Sequence, residues 1–163
     1  MPATIVPIKT YGNSGSPTEV TTTTPGLLST DDNATPATSP ITIPSAGTIY
    51  SYESWLRFKC TAVPANQCTN FKVWSAGTTV GTGVVITVNT DAVAAYVTPV
   101  STVSANGTRA DFATKGSGSK ISVAGSLVNN GDKTDFSVFQ EEVGATAGPG
   151  NISYTVNYSY DET

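Results

Sequence analysis

The residue types that most often carry out catalysis are scarce in this sequence. The chain of 163 residues contains no histidine, and histidine is the commonest general base and metal ligand in proteins. Its absence excludes Ser-His and Cys-His mechanisms and most zinc sites. Two adjacent carboxylate pairs remain, Asp31-Asp32 and Glu141-Glu142. Because neighbours on a strand point to opposite faces, neither pair suits a glycosidase, and we predict no catalytic residue and no enzymatic activity.

Two further groups of residues could form a cross-link or a metal site. Cys60 and Cys68 flank a short loop between predicted strands, and facing positions of a hairpin lie within disulfide reach. A disulfide and a pair of small buried thiols both stay open as interpretations. Residues 129–135 alternate oxygen-bearing side chains around Gly131 but lack the terminal glutamate of a calcium loop. We interpret them as a tight turn, and we predict no metal and no cofactor.

Aromatic residues raise the alternative of a platform on which a sugar stacks. Most of them alternate with polar residues inside strand-like segments, a pattern that predicts burial in a core or an interface. Trp55 differs, because its same-face neighbours Glu53, Arg57 and Lys59 are charged. It is therefore either a residue of a second core layer or an anchor for a partner. The other aromatic residues considered are Tyr50, Tyr52, Trp74, Tyr154, Tyr158 and Tyr160.

The elements that must position these residues are short β-strands. Fifteen glycines and ten prolines interrupt the chain and leave no stretch suited to an ordinary helix. The clearest strand is 49–60 (IYSYESWLRFKC), in which apolar and charged residues alternate. The other predicted strands are 4–10, 18–24, 68–75, 84–89, 94–98, 120–124, 135–143 and 151–160. This series predicts an all-β chain, a β-sandwich, with a jelly roll as the first topology and an immunoglobulin-like sandwich as the second.

The first 40 residues differ in character from the remainder. Pro7 interrupts the first strand-like piece, and residues 25–40 (PGLLSTDDNATPATSP) are polar and rich in breakers. A loop of this length in a compact domain is functional or mobile. We therefore predict an extended N-terminal arm over residues 1–40, followed by one β-sandwich domain over residues 41–163.

Charge and hydropathy exclude several classes of partner. Charged residues make up 12% of the chain and the net charge is −4, whereas soluble domains have roughly 25% charged residues. The basic residues are scattered, which argues against nucleic acid. No apolar run is long enough to span a membrane, and the start of the chain does not read as a secretory signal. We expect a protein made in a cytosol that binds neither nucleic acid nor membrane.

Residues 51–74 (SYESWLRFKCTAVPANQCTNFKVW) carry a resemblance to a known group. A strand of the form S-x-E-x-W-L-R-F, a short loop and a T-N-F-K-V-W strand are similar to a pattern of bacteriophage virion proteins. The resemblance implies a capsid decoration (cement) protein or a related virion component, with a sandwich fold and no catalytic residues. It also implies assembly in the host cytoplasm and a place on the capsid surface. The matching residues are Glu53, Trp55, Leu56, Arg57, Thr69, Asn70, Phe71 and Trp74.

Together these features predict a non-enzymatic decoration protein that bridges and stabilises the shell of major capsid protein. Its expected partners are that capsid protein and neighbouring copies of itself, in a dimer or trimer. The alternative is a carbohydrate-binding or adhesin-type module, for example on a tail fibre, which requires a row of exposed aromatic residues. The residues predicted to contact the partner are Thr4, Ile5, Val6, Ile8, Tyr11, Val20, Trp55 and Arg57.

Overall fold

The computed structural model describes residues 2–23, 26–34, 38–62, 66–77, 80–150, 152 and 154–163. In these ranges the chain forms β-strands and one 3-10 turn, Phe112–Thr114, with no α-helix. The prediction of an all-β chain is confirmed. The strands are β1 (Thr4–Tyr11), β2 (Thr18–Thr21), β3 (Thr48–Tyr50), β4 (Ser54–Ala62), β5 (Cys68–Ser75), β6 (Val84–Asn89), β7 (Arg109–Asp111), β8 (Ile121–Val123), β9 (Ser137–Gly144) and β10 (Val156–Glu162).

The strands form two antiparallel sheets. The larger sheet has the order β2-β1-β4-β9-β6-β7, with β3 paired to the end of β9, and the smaller sheet has the order β10-β5-β8. Phe58 of the larger sheet stacks on Phe71 of the smaller one, with ring centroids 5.8 Å apart. Phe112 and Phe139 meet edge to face at 5.0 Å. Two antiparallel sheets around an aromatic core are consistent with a β-sandwich.

The long predicted strand 49–60 is divided into β3 and β4 at residues 51–53. In this interval three successive N–H groups donate to three different segments, and the register along β9, the common partner of β3 and β4, shifts by one residue. The N–H of Ser51 reaches the carbonyl of Glu141, that of Tyr52 reaches Leu28, and that of Glu53 reaches Val100, at 2.9, 2.9 and 3.1 Å. Within β4 the predicted alternation holds, with Leu56 and Phe58 buried in the main core.

The predicted strand 94–98 is wrong, because these residues lie in the connection between β6 and β7. Val93 and Tyr96 both pack against the side chain of Trp55 and its neighbours. Val93 and Tyr96 are three residues apart, so on a strand their side chains would point to opposite faces. In the loop both side chains reach the same cluster. The short strand β7 was not predicted.

The prediction of an extended arm fails for residues 4–21, which belong to the larger sheet. β1 lies between β2 and β4 and pairs with β4 from Thr4 to Thr10. Ile5 and Ile8 are 7% and 3% exposed, so their burial favours docking over extension. The strand tolerates Pro7 because the Pro7 carbonyl points towards Thr22, at the end of β2. The missing N–H faces the same side and leaves the pairing with β4 intact.

The start of the breaker-rich stretch is also anchored. Leu27 and Leu28 are buried, and the buried Lys9 donates from Nζ to the carbonyl of Asp32 at 2.6 Å. Gly12 donates its N–H to the Asp31 carboxylate at 2.9 Å. Residues 26–34 therefore pack on the end of β1. The predicted boundary at residue 40 consequently does not separate an arm from the sheet, and residues 24, 25 and 35–37 lie outside the described residues.

Candidate interaction surfaces

The contact residues predicted from sequence do not form one exposed surface. Trp55 is fully buried and meets Tyr96 and Phe136 edge to face, with ring centroids 5.1 and 5.2 Å apart. Of the two interpretations open for Trp55, the structure selects the second core layer, and its assignment as a partner anchor is wrong. Ile5 and Ile8 are buried as well, so these three side chains are unavailable to a partner.

The other predicted contacts are dispersed. Arg57 is half-buried, forms an ion pair with Glu19 and lies 4.4 Å from the ring centre of Phe136. Glu19 also binds Lys133 at 2.6 Å, and these two cations lower the pKa of its carboxyl against the effect of burial. Arg57 thus joins β2 to β4. The remaining predicted contacts, exposed Thr4 and half-buried Val6, Tyr11 and Val20, are spread over both faces of β1 and β2.

A buried polar layer closes the outer face of the larger sheet beneath residues 90–108. Gln140 is fully buried and accepts a hydrogen bond from the Ser104 N–H at 2.9 Å. Its Nε2 donates to the carbonyls of Ser51, Val100 and Thr102. This one side chain therefore satisfies backbone groups of a loop that lacks regular structure.

Glu53 and Arg109 complete this layer. The Glu53 carboxylate accepts from Trp55 Nε1 at 3.1 Å and from Asn106 Nδ2 at 2.8 Å. Arg109 donates to the carbonyls of Val138 and Thr87 at 2.6 and 3.1 Å, and its burial lowers its pKa to about 10. The sequence placed Glu53 on the charged face of its strand and gave no sign of its burial, because the loop that covers it is distant along the chain.

Replacing Gln140 by alanine tests this layer. We expect the free energy of unfolding to fall by about 1–3 kcal/mol, because buried backbone groups lose their partner. Amide hydrogen exchange should accelerate at Ser104 more than at core positions such as Phe71. The matched control is Glu142→Ala, on the same strand and face but only half-buried. Unchanged exchange at Ser104 would show that Gln140 does not hold the loop.

The outer face of the smaller sheet is open, in contrast to that of the larger sheet. Half-buried Trp74 lies opposite Asn157 of β10, and the ammonium of Lys120 lies 4.0 Å from the ring centre of Trp74. Lys72 in the next row donates to the Ser122 hydroxyl at 2.7 Å. We call this surface, with Trp74 at its centre, the small-sheet face.

A second open surface lies where β9 ends and β3 and β6 begin. Two adjoining hollows of about 600 and 320 Å³ share Ile41 and Thr42. Together they form the end cleft, whose rim carries Ile43 and Val103 at 41% and 63% exposure. The larger hollow is lined by Ile41, Ile49, Tyr50 and Val103 together with five Ser and Thr residues. The smaller hollow is lined chiefly by Ile41, Thr42, Ile43, Val84, Glu141, Val143, Pro149 and Ile152.

Among the described residues that line the end cleft, Glu141 is the one acidic residue. It is 8% exposed and points to the inner face of the sheet, since it pairs with Ile86 of the core. No hydrogen bond or ion pair to its carboxyl is found among the described residues. Burial raises its pKa to about 7. Of the predicted pair Glu141-Glu142, only this member is buried, which agrees with neighbours that face opposite sides.

The two cysteines do not flank a hairpin. β4 and β5 belong to different sheets, so the loop between them crosses from one layer to the other, and residues 63–65 of that loop lie outside the described residues. Cys60 and Cys68 are both fully buried with free thiols. Burial raises the pKa of the Cys68 thiol. The structure thus has the buried thiols that the sequence left open as one interpretation.

Residues 129–135 contain a turn. Asp132 accepts hydrogen bonds from the N–H groups of Val128 and Asn129, both at 2.8 Å, and Gly131 has a φ of 96°, which suits glycine. The described part of the chain holds no cluster of three or more Cys, Asp or Glu side chains able to bind a metal.

No helix in the described ranges is long and apolar enough to cross a membrane. The chain matches no protein-family model, no curated protein and no solved structure. The small-sheet face and the end cleft are therefore the two candidate interaction surfaces of the protein.

Proposed function

We propose that this protein is a non-enzymatic structural protein of a virion, a capsid decoration protein that binds and stabilises the shell of major capsid protein. The end cleft is the observation that carries the proposal. It is an apolar opening in a sandwich whose larger sheet is closed by a loop on its outer face. The similarity of residues 51–74 to a phage virion pattern supports the capsid as the partner.

The properties of the end cleft suit docking to a protein. Its rim exposes aliphatic side chains, of which Val103 is 63% and Ile43 41% exposed, and such grouped apolar surface marks interaction sites. With charged residues at 12% of the chain, few charges require desolvation on contact. Docking here requires no free N-terminal arm, in agreement with the position of β1 inside the sheet.

The same proposal includes the setting and the topology. The protein acts on the capsid surface after assembly in the host cytoplasm, as a dimer or trimer in contact with neighbouring copies. The sandwich is a jelly roll. Strand neighbours that are distant in sequence, such as β1 with β4 and β4 with β9, support a topology in which strands join by long connections.

Co-sedimentation with candidate phage capsids tests the decoration role. We expect saturable binding at a fixed ratio to the major capsid protein. The double substitution of Ile43→Asp and Val103→Asp should weaken binding by at least about tenfold, because it charges the apolar rim. The control is Val128→Asp, a valine outside the cleft whose exposure of 42% is close to the 41% of Ile43, and this variant should bind as the wild type does.

Two outcomes would contradict the proposal. Absence of binding to every capsid tested would count against decoration itself. Binding that is equally strong for the rim variant and the wild type would remove the cleft as the docking surface.

A carbohydrate-binding role is the second candidate, favoured by the small-sheet face. Trp74 has hydroxyl and amide side chains around it on an open sheet, a setting in which an indole can stack on a sugar ring. Only one tryptophan occupies the face, however, and Lys120 lies over its ring. Titration with a glycan panel should quench tryptophan emission in the wild type but not in Trp74→Phe, and no quenching in either protein would dismiss this role.

A further inference from the structure

We infer that the end cleft receives a lysine side chain of the partner protein, whose ammonium pairs with the Glu141 carboxylate. This inference deepens the proposed function and rests on it, because it names the chemistry of the docked group. The aliphatic stem of the lysine would lie along the apolar wall formed by Ile43, Val84 and Val143.

Among the described residues, the Glu141 carboxyl has no hydrogen-bond or ion-pair partner. Its side chain is 92% removed from solvent, since 8% remains exposed, and it lines the smaller hollow of the end cleft. Among the described residues the two ion pairs involve Glu19 and neither involves Glu141. The titratable group that interacts with it is the Tyr154 phenol, whose pKa burial and Glu141 both raise.

The pKa values of Glu19 and Glu141 differ because a cation lies beside the first carboxyl and none of the described cations lies beside the second. Glu19 is bound by Arg57 and Lys133, and the pKa of its carboxyl falls below the ordinary value. Glu141 has no cation, and its pKa rises to about 7 because burial disfavours the charged form. A buried carboxylate is costly until a cation is placed beside it. An arriving ammonium group would therefore gain more at Glu141 than at a solvated carboxylate.

The shape and polarity of the hollow favour lysine over arginine. A lysine ammonium has three donors on an aliphatic stem, whereas a guanidinium has five donors in a planar fork. The hollow offers one carboxylate, the hydroxyl-bearing Thr42 and a wall otherwise made of Ile, Val, Pro, Ala and Gly residues. One carboxylate leaves most guanidinium donors unpaired, and the apolar wall suits a methylene stem.

The segments that face Glu141 supply no competing charge. Ile41, Thr42 and Ile43 cover it from one side, and the described part of residues 147–152 covers it from the other; none of these side chains is ionisable. On β6 its cross-strand neighbour is Ile86. Binding of an ammonium group should consequently follow the ionisation of Glu141 itself.

The inference is tested on the isolated full chain by titration with lysine methylamide acetylated on its α-amine, which keeps the side-chain ammonium free. Binding is followed by methyl NMR. We expect saturable shifts of the Ile43, Val84 and Val143 methyl signals, with a dissociation constant on the order of 10 mM for so small a probe. Affinity should rise about tenfold from pH 6 to pH 8 as Glu141 ionises. The acetyl-norleucine methylamide probe, which lacks the ammonium, should bind at least about tenfold more weakly.

Variants isolate the carboxylate. Glu141→Gln keeps the size of the side chain and should remove the pH dependence together with most of the lysine affinity. Glu142→Gln is the matched control, because Glu142 lies next in the chain on the outer face, and it should bind as the wild type does. Equal binding of the norleucine and lysine probes, or wild-type binding by Glu141→Gln, would overturn the inference.

Capsid binding separates this inference from the decoration role. If capsids bind Glu141→Gln as well as the wild type while the Ile43→Asp, Val103→Asp variant fails, decoration stands and the lysine pairing is overturned. If the lysine probe binds through Glu141 but no capsid binds, the ammonium site stands and the decoration role fails.

Discussion

Replacement of Trp55 by alanine is expected to lower the free energy of unfolding by about 3–5 kcal/mol, the range typical of large buried aromatic residues. Trp55 is fully buried between Tyr96 and Phe136 and donates to the Glu53 carboxylate. Its removal leaves a cavity under residues 90–108 and deprives Glu53 of a donor. Urea denaturation followed by far-ultraviolet circular dichroism measures the loss without relying on tryptophan emission.

Trp74→Ala is the matched control for this experiment. Trp74 lies half-exposed on the small-sheet face, so its loss should cost less than about 1 kcal/mol. Similar losses for both variants would contradict the assignment of Trp55 to a second core layer. A partner anchor would behave differently, because its removal would spare stability and abolish binding.

Glu141→Gln is expected to stabilise the free protein at pH 8 and to leave it little changed at pH 4. The carboxyl has an ordinary pKa of 4.5 and a pKa of about 7 in the folded chain. Between these values the unfolded chain releases the proton while the folded chain retains it. The contribution of Glu141 to stability is therefore fully present below about pH 4.5 and is lost as the pH rises to about 7, a loss of roughly 3 kcal/mol.

The measurement is the difference in unfolding free energy between wild type and Glu141→Gln across pH 4 to 8. Other groups with shifted pKa values, such as Asp31 and Lys9, titrate in both proteins and cancel in the difference. Glu142→Gln should run parallel to the wild type. A difference that stays constant with pH would mean that the Glu141 carboxyl titrates as it does in the unfolded chain.

The sequence predicted those strands whose burial follows from the apolar and polar residues of the strand itself. The bounds of β5 and β6 agree with the predicted segments 68–75 and 84–89. β5 alternates buried and less buried residues over most of its length, whereas β6 is buried at nearly every position. The same reasoning failed where a segment distant in sequence covers the strand and buries its polar face. Glu53 and Trp55 were grouped with the charged face of their strand, and the choice of a core layer or a partner anchor for Trp55 stayed open. Residues 90–108, which cover both side chains, contain no strand pattern that would place them there.

The N-terminal strand illustrates a second limit. Ile5 and Ile8 carried an apolar signal, but their partner β4 lies about fifty residues further along the chain. Non-local pairing is not encoded in any short window of sequence. Pro7 also favoured the interpretation of this segment as an arm. In the structure the missing N–H of Pro7 faces the side of β2, so the hydrogen bonds between β1 and β4 are kept.

The end cleft could be predicted only in part. Glu141 shares its parity with Phe139 and Val143, a signal that places its side chain on the apolar face of β9. What the sequence could not supply is the set of segments around it, since residues 41–43 come from one end of the predicted sandwich domain and residues 147–150 and 152 from the other. The cleft exists because these irregular segments meet there without filling the space.

The central position of β9 has a consequence for synthesis of the chain. β9 pairs with β3 and β4 on one side and with β6 on the other, yet it ends at Gly144. Until a ribosome has released that residue, β4 and β6 each present an unpaired edge, and such edges attract other chains. Both edges therefore need protection until β9 has emerged, and a nascent chain stalled before β9 would be a substrate for chaperones.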